Sequence, residues 1–148
     1  MDTQNKSDSK NSRVNRPERY QVAMRFHSLD QLLAQDHRAR IVWQYVESLD
    51  VEPLYSGFKA IHGQKGRNSI APEILLALWL MATIDSISSA RELARKTTTD
   101  IGYIWICGDV SVNYHTLSDF RSCNAEFFEK MLVDTVTAMM AEGFVTLD

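Results

Sequence analysis

The stretch PEILLALWLMATI, residues 72–84, decides the fold, because it is apolar on every side of the helix that its length predicts. Its longest uninterrupted apolar run, from Ile74 to Ala82, has nine residues, whereas a helix needs about 20 to cross a bilayer. Pro72 suits the first turn of a helix, where its missing N–H is not needed. We therefore expect a helix buried at the centre of a bundle, in a protein without a membrane partner.

A second helix is predicted ahead of this stretch. Its apolar residues recur at helical spacing and form one stripe: Ala39, Val42, Val46 and Leu49. Asp36 is the expected N-cap, since its carboxylate can accept from the free N–H groups of the first turn. The helix should end before Pro53. The segment YSGFKAIHGQKGRNS, 55–69, is rich in glycine and basic residues and predicts a loop.

Two short helices are predicted after the apolar stretch. Ser89 and Glu92 have the S-x-x-E spacing of a capping box and open SARELARKT, 89–97. The charged residues of this helix face outward: Arg91, Glu92, Arg95 and Lys96. DIGYIWIC, 100–107, predicts a short and mostly buried helix ending at Gly108, although its Ile and Tyr content leaves a strand open.

The next stretch, VSVNYHTLSDFR, 110–121, mixes apolar anchors with small polar groups. With Asn113 or Ser111 as N-cap, the helix turns one apolar side inward: Tyr114, Leu117 and Phe120. A last helix is expected between a cap at Asn124 and a stop at Gly143, with an apolar stripe of Phe128, Met131, Leu132, Thr135, Val136 and Met139. The predicted fold class is all-α, a compact multi-helix domain.

Three of these helices in succession suit a helix-turn-helix unit: one with outward cations, one buried, and one with small polar groups. A helix that enters the major groove of DNA needs short hydrogen-bonding side chains at base edges and cations at phosphates. The candidate DNA-binding residues are Arg91, Arg95, Lys96, Asn113, His115, Thr116, Ser118 and Arg121. The same composition also fits the solvated face of an ordinary surface helix, so spacing alone leaves both interpretations open.

Length and charge fit one domain behind a basic arm. The chain has 148 residues, 45% of them hydrophobic, and a formal net charge of −3, which disfavours a partner held by bulk positive charge alone. Residues 1–40 carry eight Lys or Arg and five acids, whereas residues 122–148 carry one Lys and five acids. The first 20 residues hold too little apolar surface to fold. We therefore expect a disordered basic arm at 1–20 and a helical domain at 21–148.

Four stretches together resemble a known family: QDHRARIVWQYVESLD (35–50), ILLALWLMATIDSISSARELARKT (74–97), YIWICGDVSVNYHTLSDFR (103–121) and LVDTVTAMMAEGFVTLD (132–148). They are similar to the N-terminal domain of insertion-sequence transposases, the InsH-like group, from about residue 20 to the end. The most specific part is WICGDVSVNYHTLSDFR, 105–121. The resemblance implies a helical domain that contributes to binding double-stranded DNA at the terminal inverted repeats of the element.

The resemblance also implies what this sequence lacks. In such transposases an RNase-H-like domain downstream carries the Asp-Asp-Glu acids of a two-metal reaction. We therefore expect a truncated transposase that is not an enzyme, with no catalytic residue and no cofactor of its own, because the Mg²⁺ would belong to the missing domain. Two positions depart from the family pattern, Ala71 in place of an acidic cap and Ile104 in place of an Arg.

Other classes of site are not favoured by the sequence. The four histidines never lie two to five residues apart, so no metal site is expected, and Cys107 and Cys123 are interpreted as free thiols. The alternative function is a helical module that forms a homodimer, or docks on the full-length transposase, without touching DNA. The cytoplasm is the simplest location, because the N-terminus lacks the apolar core of a secretory signal.

Overall fold

The computed structural model describes residues 15–55 and 70–141, and within these ranges the chain is helical and has no β-strand. Seven helices follow one another in the described ranges: α1 (Leu29–Leu32), α2 (Arg38–Ser48), α3 (Pro72–Ile84), α4 (Ala90–Thr99), α5 (Ile101–Cys107), α6 (Tyr114–Cys123) and α7 (Ala125–Ala141). One more helical turn spans 52–55. The all-α prediction is confirmed, whereas most of the predicted loop at 55–69 and the predicted stop at Gly143 lie outside the described residues.

The predicted central helix is α3. Its residues 75–78 are completely buried, and the helix packs against α2, α4 and α5. Burial of one such leucine side chain contributes about 1.5–3 kcal/mol, so this helix is the main apolar support of the fold. Pro72 lies in the first turn as predicted, and the N-cap Ala71 makes no side-chain hydrogen bond to that turn. No helix of the described ranges is long and apolar enough to cross a membrane.

The beginning of α2 differs from the prediction. Its N-cap is His37, whose Nδ1 accepts from the Ala39 N–H at 3.0 Å, so the expected cap at Asp36 is wrong by one residue. An imidazole nitrogen replaces the expected carboxylate because a cap must directly precede the first helical residue. The predicted stripe is otherwise confirmed, since Ala39, Val42 and Val46 are buried.

The short helix α1 was not predicted. Ser28 Oγ accepts from the Gln31 N–H, and Gln31 Oε1 accepts from the Ser28 N–H, which completes a capping box. Asp30 accepts from Arg40 Nη1 at 2.6 Å and from Trp105 Nε1 at 3.2 Å. The Arg40 hydrogen bond, followed by that of Trp105, lowers the pKa of the Asp30 carboxyl. One carboxylate therefore joins α1 to both α2 and α5.

The described side chains of the last helix, α7, follow the predicted apolar stripe only in part, and those of Thr135, Val136 and Met139 lie outside the described residues. Met131 is buried and Phe128 is half-buried, with its ring edge-on to Phe120 of α6 at 5.7 Å between centroids. Leu132 is 50% exposed, so its assignment to the core stripe is wrong. It lies 100° around the helix from Met131 and therefore leaves the side that faces α6. Asn124 precedes α7 as predicted, but its side-chain amide donates to Phe120 O at the end of α6.

Candidate nucleic-acid interface

The candidate residues lie on α4 and α6, which pack against each other, while α5 packs against α4. A single residue, Asp100, joins α4 to α5, and its carboxylate accepts from the Gly102 N–H at 3.0 Å. Gly108 ends α5 in the left-handed conformation, with φ of 55°, and Asp109 follows with φ of 69°. Asparagine or aspartate and glycine are the residues that enter this region most easily. The chain then turns over 108–113 and begins α6.

The inner side of α6 is fixed to the core. Leu117 and Phe120 are buried, as predicted, and Tyr114 is half-buried. Trp79 of α3 donates its indole Nε1–H to Leu117 O at 3.0 Å, deep inside the bundle. Because a buried indole N–H without a partner is costly, this bond fixes the position of α6 against the central helix.

The outer side of α6 carries the small polar groups that the sequence predicted there. His115 is exposed, whereas Thr116 and Ser118 are half-buried. Of the two predicted caps, Asn113 and Ser111, the structure has Asn113, since its Oδ1 accepts from the Thr116 N–H at 2.9 Å and from the Thr116 hydroxyl at 3.1 Å. The side-chain oxygen of Asn113 therefore accepts hydrogen bonds within α6, and its side-chain NH₂ group makes no hydrogen bond to a described residue.

Arg91 connects the charged side of α4 to this surface. Its guanidinium lies 4.7 Å from the centroid of the Tyr114 ring, and the centroid of that ring lies 4.0 Å from that of His115, with the two rings tilted by 31°. An arginine over an aromatic ring is held by the cation–π attraction, worth about 0.5–1 kcal/mol at an exposed site. Arg95 is exposed and Lys96 is half-buried on the same helix. Over the described ranges, none of the three forms an ion pair with a carboxylate.

Arg121 has an intramolecular role that the sequence did not predict. Its Nη1 donates to Ser88 O at 2.7 Å, and its guanidinium lies 4.2 Å above the ring of Trp79. It borders a cleft of about 410 Å³ between the α3–α4 connection and the start of α7, lined also by Thr83 and Phe128. Arg121 therefore joins the end of α6 to the segment before α4, although the residue as a whole stays exposed.

A second cluster that the sequence did not predict joins α5 to α2 and to the end of α3. Tyr103 of α5 is completely buried and donates its hydroxyl to Asp85 Oδ2 at 2.6 Å, and Arg38 Nη2 lies 2.7 Å from Asp85 Oδ1. Burial, and then the hydrogen bond to Asp85, raise the pKa of the Tyr103 phenol. The three residues come from α5, α2 and the end of α3, so they fix α5 against the core.

Close packing of α5 on α2 also depends on Gly102. A Cβ at this position would lie 2.6 Å from His37 Cε1, a distance that real Cβ atoms do not show. The glycine thus allows the cap of α2 to contact the backbone of α5.

The metal-ligand and thiol side chains of the described residues can be compared with the sequence predictions. In the described part of the chain, no three side chains of the His, Cys, Asp and Glu types come together as a metal site would require. Cys107 is buried, and burial raises the pKa of its thiol to about 11. Cys123 is exposed, and both cysteines are free thiols as predicted.

Comparison with known proteins identifies the class of this helical domain. Residues 27–123, well over half of the 148-residue chain, match the family described as Transposase domain (DUF772). The chain therefore belongs to this family of transposase domains, and its role is transposase-related. The matched span begins just before the cap of α1 and ends at the last residue of α6, so it contains the whole candidate surface. No curated protein and no solved structure gives a significant match.

Proposed function

We propose that this chain is the DNA-binding N-terminal domain of an insertion-sequence transposase, and that it recognises the terminal inverted repeats of the element in double-stranded DNA. In this proposal the three successive helices α4, α5 and α6 form the helix-turn-helix unit, with α4 packed against both of the others. The outer side of α6 enters the major groove, and the cations of α4 contact phosphates beside it.

The contact between Arg91, Tyr114 and His115 carries the proposal. It holds a guanidinium that has no carboxylate partner among the described residues at the first turn of α6, next to the exposed imidazole. A helix that reads bases with its N-terminal turns needs phosphate-binding cations at that edge of the groove. An ordinary surface helix has no such requirement, and its arginines commonly pair with nearby acids.

The remaining candidate residues have different roles in this proposal, some in contacting bases and one in supporting α6. His115, Thr116 and Ser118 face base edges, because short side chains reach them without a clash. Thr116 does so as an acceptor, since its hydroxyl hydrogen is donated to Asn113. Arg121 mainly supports α6 through its bond to Ser88 and its stacking on Trp79.

The salt dependence of binding tests the number of phosphate contacts. One contact each from Arg91, Arg95 and Lys96 gives a slope of log K against log salt of about −2.7, at about −0.9 per contact. A fourth phosphate contact, from Arg121, would make the slope steeper, at about −3.6. The slope is measured by fluorescence anisotropy on duplexes carrying the terminal repeat, between about 50 and 200 mM salt.

Arg91→Ala is expected to reduce that slope by about 0.9, since one phosphate contact is lost. The matched control is Lys130→Ala, which removes the same charge from α7 outside the proposed surface. Equal slopes for wild type, Arg91→Ala and Lys96→Ala would contradict the proposed surface. Equal affinity for the repeat and for scrambled duplexes would contradict repeat recognition.

The proposal assigns strand cleavage to a different domain. The resemblance places the acidic residues and their Mg²⁺ in an RNase-H-like domain, so this chain is expected to bind end-labelled repeat DNA in the presence of Mg²⁺ without cutting it. Cleavage products that persist after repurification of the chain would contradict the assignment of strand cleavage to a different domain.

A helical interaction module is the second candidate function, and α7 favours it. Leu132 and Val133 are 50% and 59% exposed on neighbouring positions of that helix. Such a module would self-associate, or bind a full-length transposase, without any DNA shift. Leu132→Glu separates the two functions, because it would abolish association and leave DNA binding unchanged.

A further inference from the structure

The cleft beside the end of α6 combines apolar walls with hydrogen-bond donors. It has a volume of about 410 Å³ and lies between the α3–α4 connection and the start of α7. Ile87 and Phe128, both half-buried, line it together with the buried Trp79. Ligand pockets in proteins have this character, mostly apolar with a few polar groups that fix the orientation of the ligand. The volume is near the lower end for such pockets, so the cleft suits one or two side chains of a partner.

Arg121 presents an unused edge of its guanidinium to this cleft. Its Nη1 donates to Ser88 O at 2.7 Å, and the guanidinium lies 4.2 Å above the ring of Trp79. These two contacts fix the plane of the guanidinium and leave most of its N–H donors free. The edge formed by Nε and Nη2 makes no hydrogen bond or ion pair to a described residue. Such an edge has the geometry that binds a carboxylate through two parallel hydrogen bonds.

Two serine hydroxyl groups add further donors. Ser86 and Ser88 line the same cleft, both are exposed, and neither hydroxyl makes a hydrogen bond to a described residue. Ser86 has a φ of 58°, in the left-handed region that glycine enters more easily. This turn is fixed by hydrogen bonds from the Ser86 N–H to Thr83 O at 3.2 Å and from the Ile87 N–H to Ala82 O at 2.7 Å. A serine hydroxyl is therefore held at the cleft in a backbone position better suited to glycine.

The described side chains that line the cleft include no carboxylate. The remaining polar residue, Thr83, donates its own hydroxyl to Trp79 O at 2.9 Å. The acid nearest along the chain, Asp85, does not line the cleft, and its carboxylate is bound by Arg38 and Tyr103. A negatively charged group in the cleft would therefore meet a guanidinium and two hydroxyls without a competing acid.

The walls and the single cation distinguish between two kinds of anion. Each strand of duplex DNA carries a phosphate about every 3.4 Å along the axis, so DNA is bound by several cations side by side. Arg121 is the one cation among the described residues that line this cleft. Ile87 and Phe128 gain little from phosphates and sugars, whereas they can bury an apolar side chain that accompanies a carboxylate. The cleft therefore favours an acidic peptide over a DNA backbone.

We propose that this cleft binds an acidic segment of a partner protein, in which an Asp or Glu stands next to a large apolar residue. The carboxylate accepts from Nε and Nη2 of Arg121 and from the hydroxyls of Ser86 and Ser88. The apolar residue packs against Ile87 and Phe128. This binding goes beyond the proposed function and needs no DNA.

An NMR titration with short peptides tests the site. The probe is acetyl-Leu-Asp-Leu-amide, and the readout is the Nε–H resonance of Arg121, because a bound carboxylate accepts a hydrogen bond from that group itself. We expect this resonance to shift with saturation. Acetyl-Leu-Asn-Leu-amide lacks the charge and acetyl-Gly-Asp-Gly-amide lacks the apolar side chains, so each is expected to bind at least about tenfold more weakly.

Substitution of the two serines tests the hydroxyls without disturbing Arg121. The double variant Ser86→Gly with Ser88→Ala removes both hydroxyls and keeps the Ser88 carbonyl that binds the guanidinium. It is expected to fold as stably as wild type, because glycine suits the backbone of residue 86, and to bind the acidic peptide about tenfold more weakly. Ser122→Ala is the control, since it removes an exposed hydroxyl outside this cleft and should leave the affinity unchanged.

Several results would overturn the proposal. One is equal affinity for the Asp and Asn peptides, and another is an Arg121 resonance that does not move in about 10 mM acidic peptide, well above the dissociation constant of a weak complex. Unchanged peptide affinity in the double serine variant would show that the hydroxyls bind nothing. An Arg121 resonance that responds to inorganic phosphate and not to the peptide, with a salt slope of DNA binding reduced by about 0.9 in Arg121→Gln, would assign the cleft to a DNA phosphate.

Discussion

Replacement of Tyr103 by Phe tests the cluster that holds α5 in place. The substitution keeps the ring and removes only the hydroxyl, which donates to Asp85 Oδ2 at 2.6 Å from a completely buried position. Hydrogen bonds to charged groups contribute about 1.5–3 kcal/mol. Asp85 keeps its ion pair with Arg38 and is partly open to water, so we expect a loss near the lower end, about 1.5 kcal/mol in the free energy of unfolding.

The same substitution changes the pH dependence of stability. The folded state raises the pKa of the Tyr103 phenol, so the folded chain keeps this proton while the unfolded chain releases it above about pH 10. The contribution of Tyr103 is therefore complete below pH 10 and is lost as the pH rises further, by up to about 1.4 kcal/mol per pH unit. Tyr103→Phe should remove that part of the alkaline loss.

Urea unfolding followed by circular dichroism, at pH 7 and between pH 9.5 and 11, measures both effects, given that small single domains usually unfold in one step. The control is Tyr114→Phe, whose lost hydroxyl has no hydrogen-bond partner among the described residues and should change stability by less than about 0.5 kcal/mol. A double-mutant cycle with Asp85→Asn should give a coupling energy of about 1 kcal/mol or more. A loss for Tyr103→Phe no larger than that of the control, together with an unchanged alkaline slope, would refute the proposed role of this hydrogen bond.

Three further substitutions or reactions test other parts of the structure. Gly102→Ala should lower the free energy of unfolding by about 1–3 kcal/mol, because its Cβ would meet His37 at 2.6 Å, and a loss below about 0.5 kcal/mol in urea unfolding would show that the two helices separate at little cost. Asn113→Ala should cost about 1 kcal/mol through the lost cap of α6, whereas Asn113→Asp should retain most of the stability, as thermal unfolding would show. A thiol reagent at neutral pH should modify Cys123 rapidly and Cys107 only at the rate of unfolding, since burial raises the pKa of the Cys107 thiol to about 11; two equally fast thiols would contradict its burial.

The sequence predicts the helices well where the signal is local. The all-round apolar character of 72–84 correctly places α3 at the centre, whereas the sequence leaves the cap of α6 open between Ser111 and Asn113, and the structure has Asn113. Periodicity also identifies the buried side of α2. The sequence misses the cap of α2 because histidine is outside the usual set of capping residues. The helix is capped by the His37 nitrogen and not by the carboxylate of Asp36, the residue before it.

Contacts between distant segments could not be predicted from the sequence. Asp85, Tyr103 and Arg38 belong to three different helices or helix ends, and no spacing rule relates them. Arg121 has the side-chain type expected of a phosphate contact, yet its partners Ser88 and Trp79 become visible only in three dimensions. The α1 capping box was in principle detectable, because Ser28 and Gln31 have the required S-x-x-Q spacing.

The hydrogen bond from Trp79 to Leu117 O shows that α6 has two separate sides, one that packs in the core and one that faces outward. Apart from Arg121, the side chains of α6 that pack into the bundle lie on its inner side, so substitutions at His115 or Ser118 alter the outer surface at little cost to folding. If the proposed DNA-binding role holds, a mobile element with this domain can therefore change its DNA-contacting surface while the buried packing of α6 stays the same. Divergence among such domains should accumulate at these outer positions and spare the indole that fixes them from within.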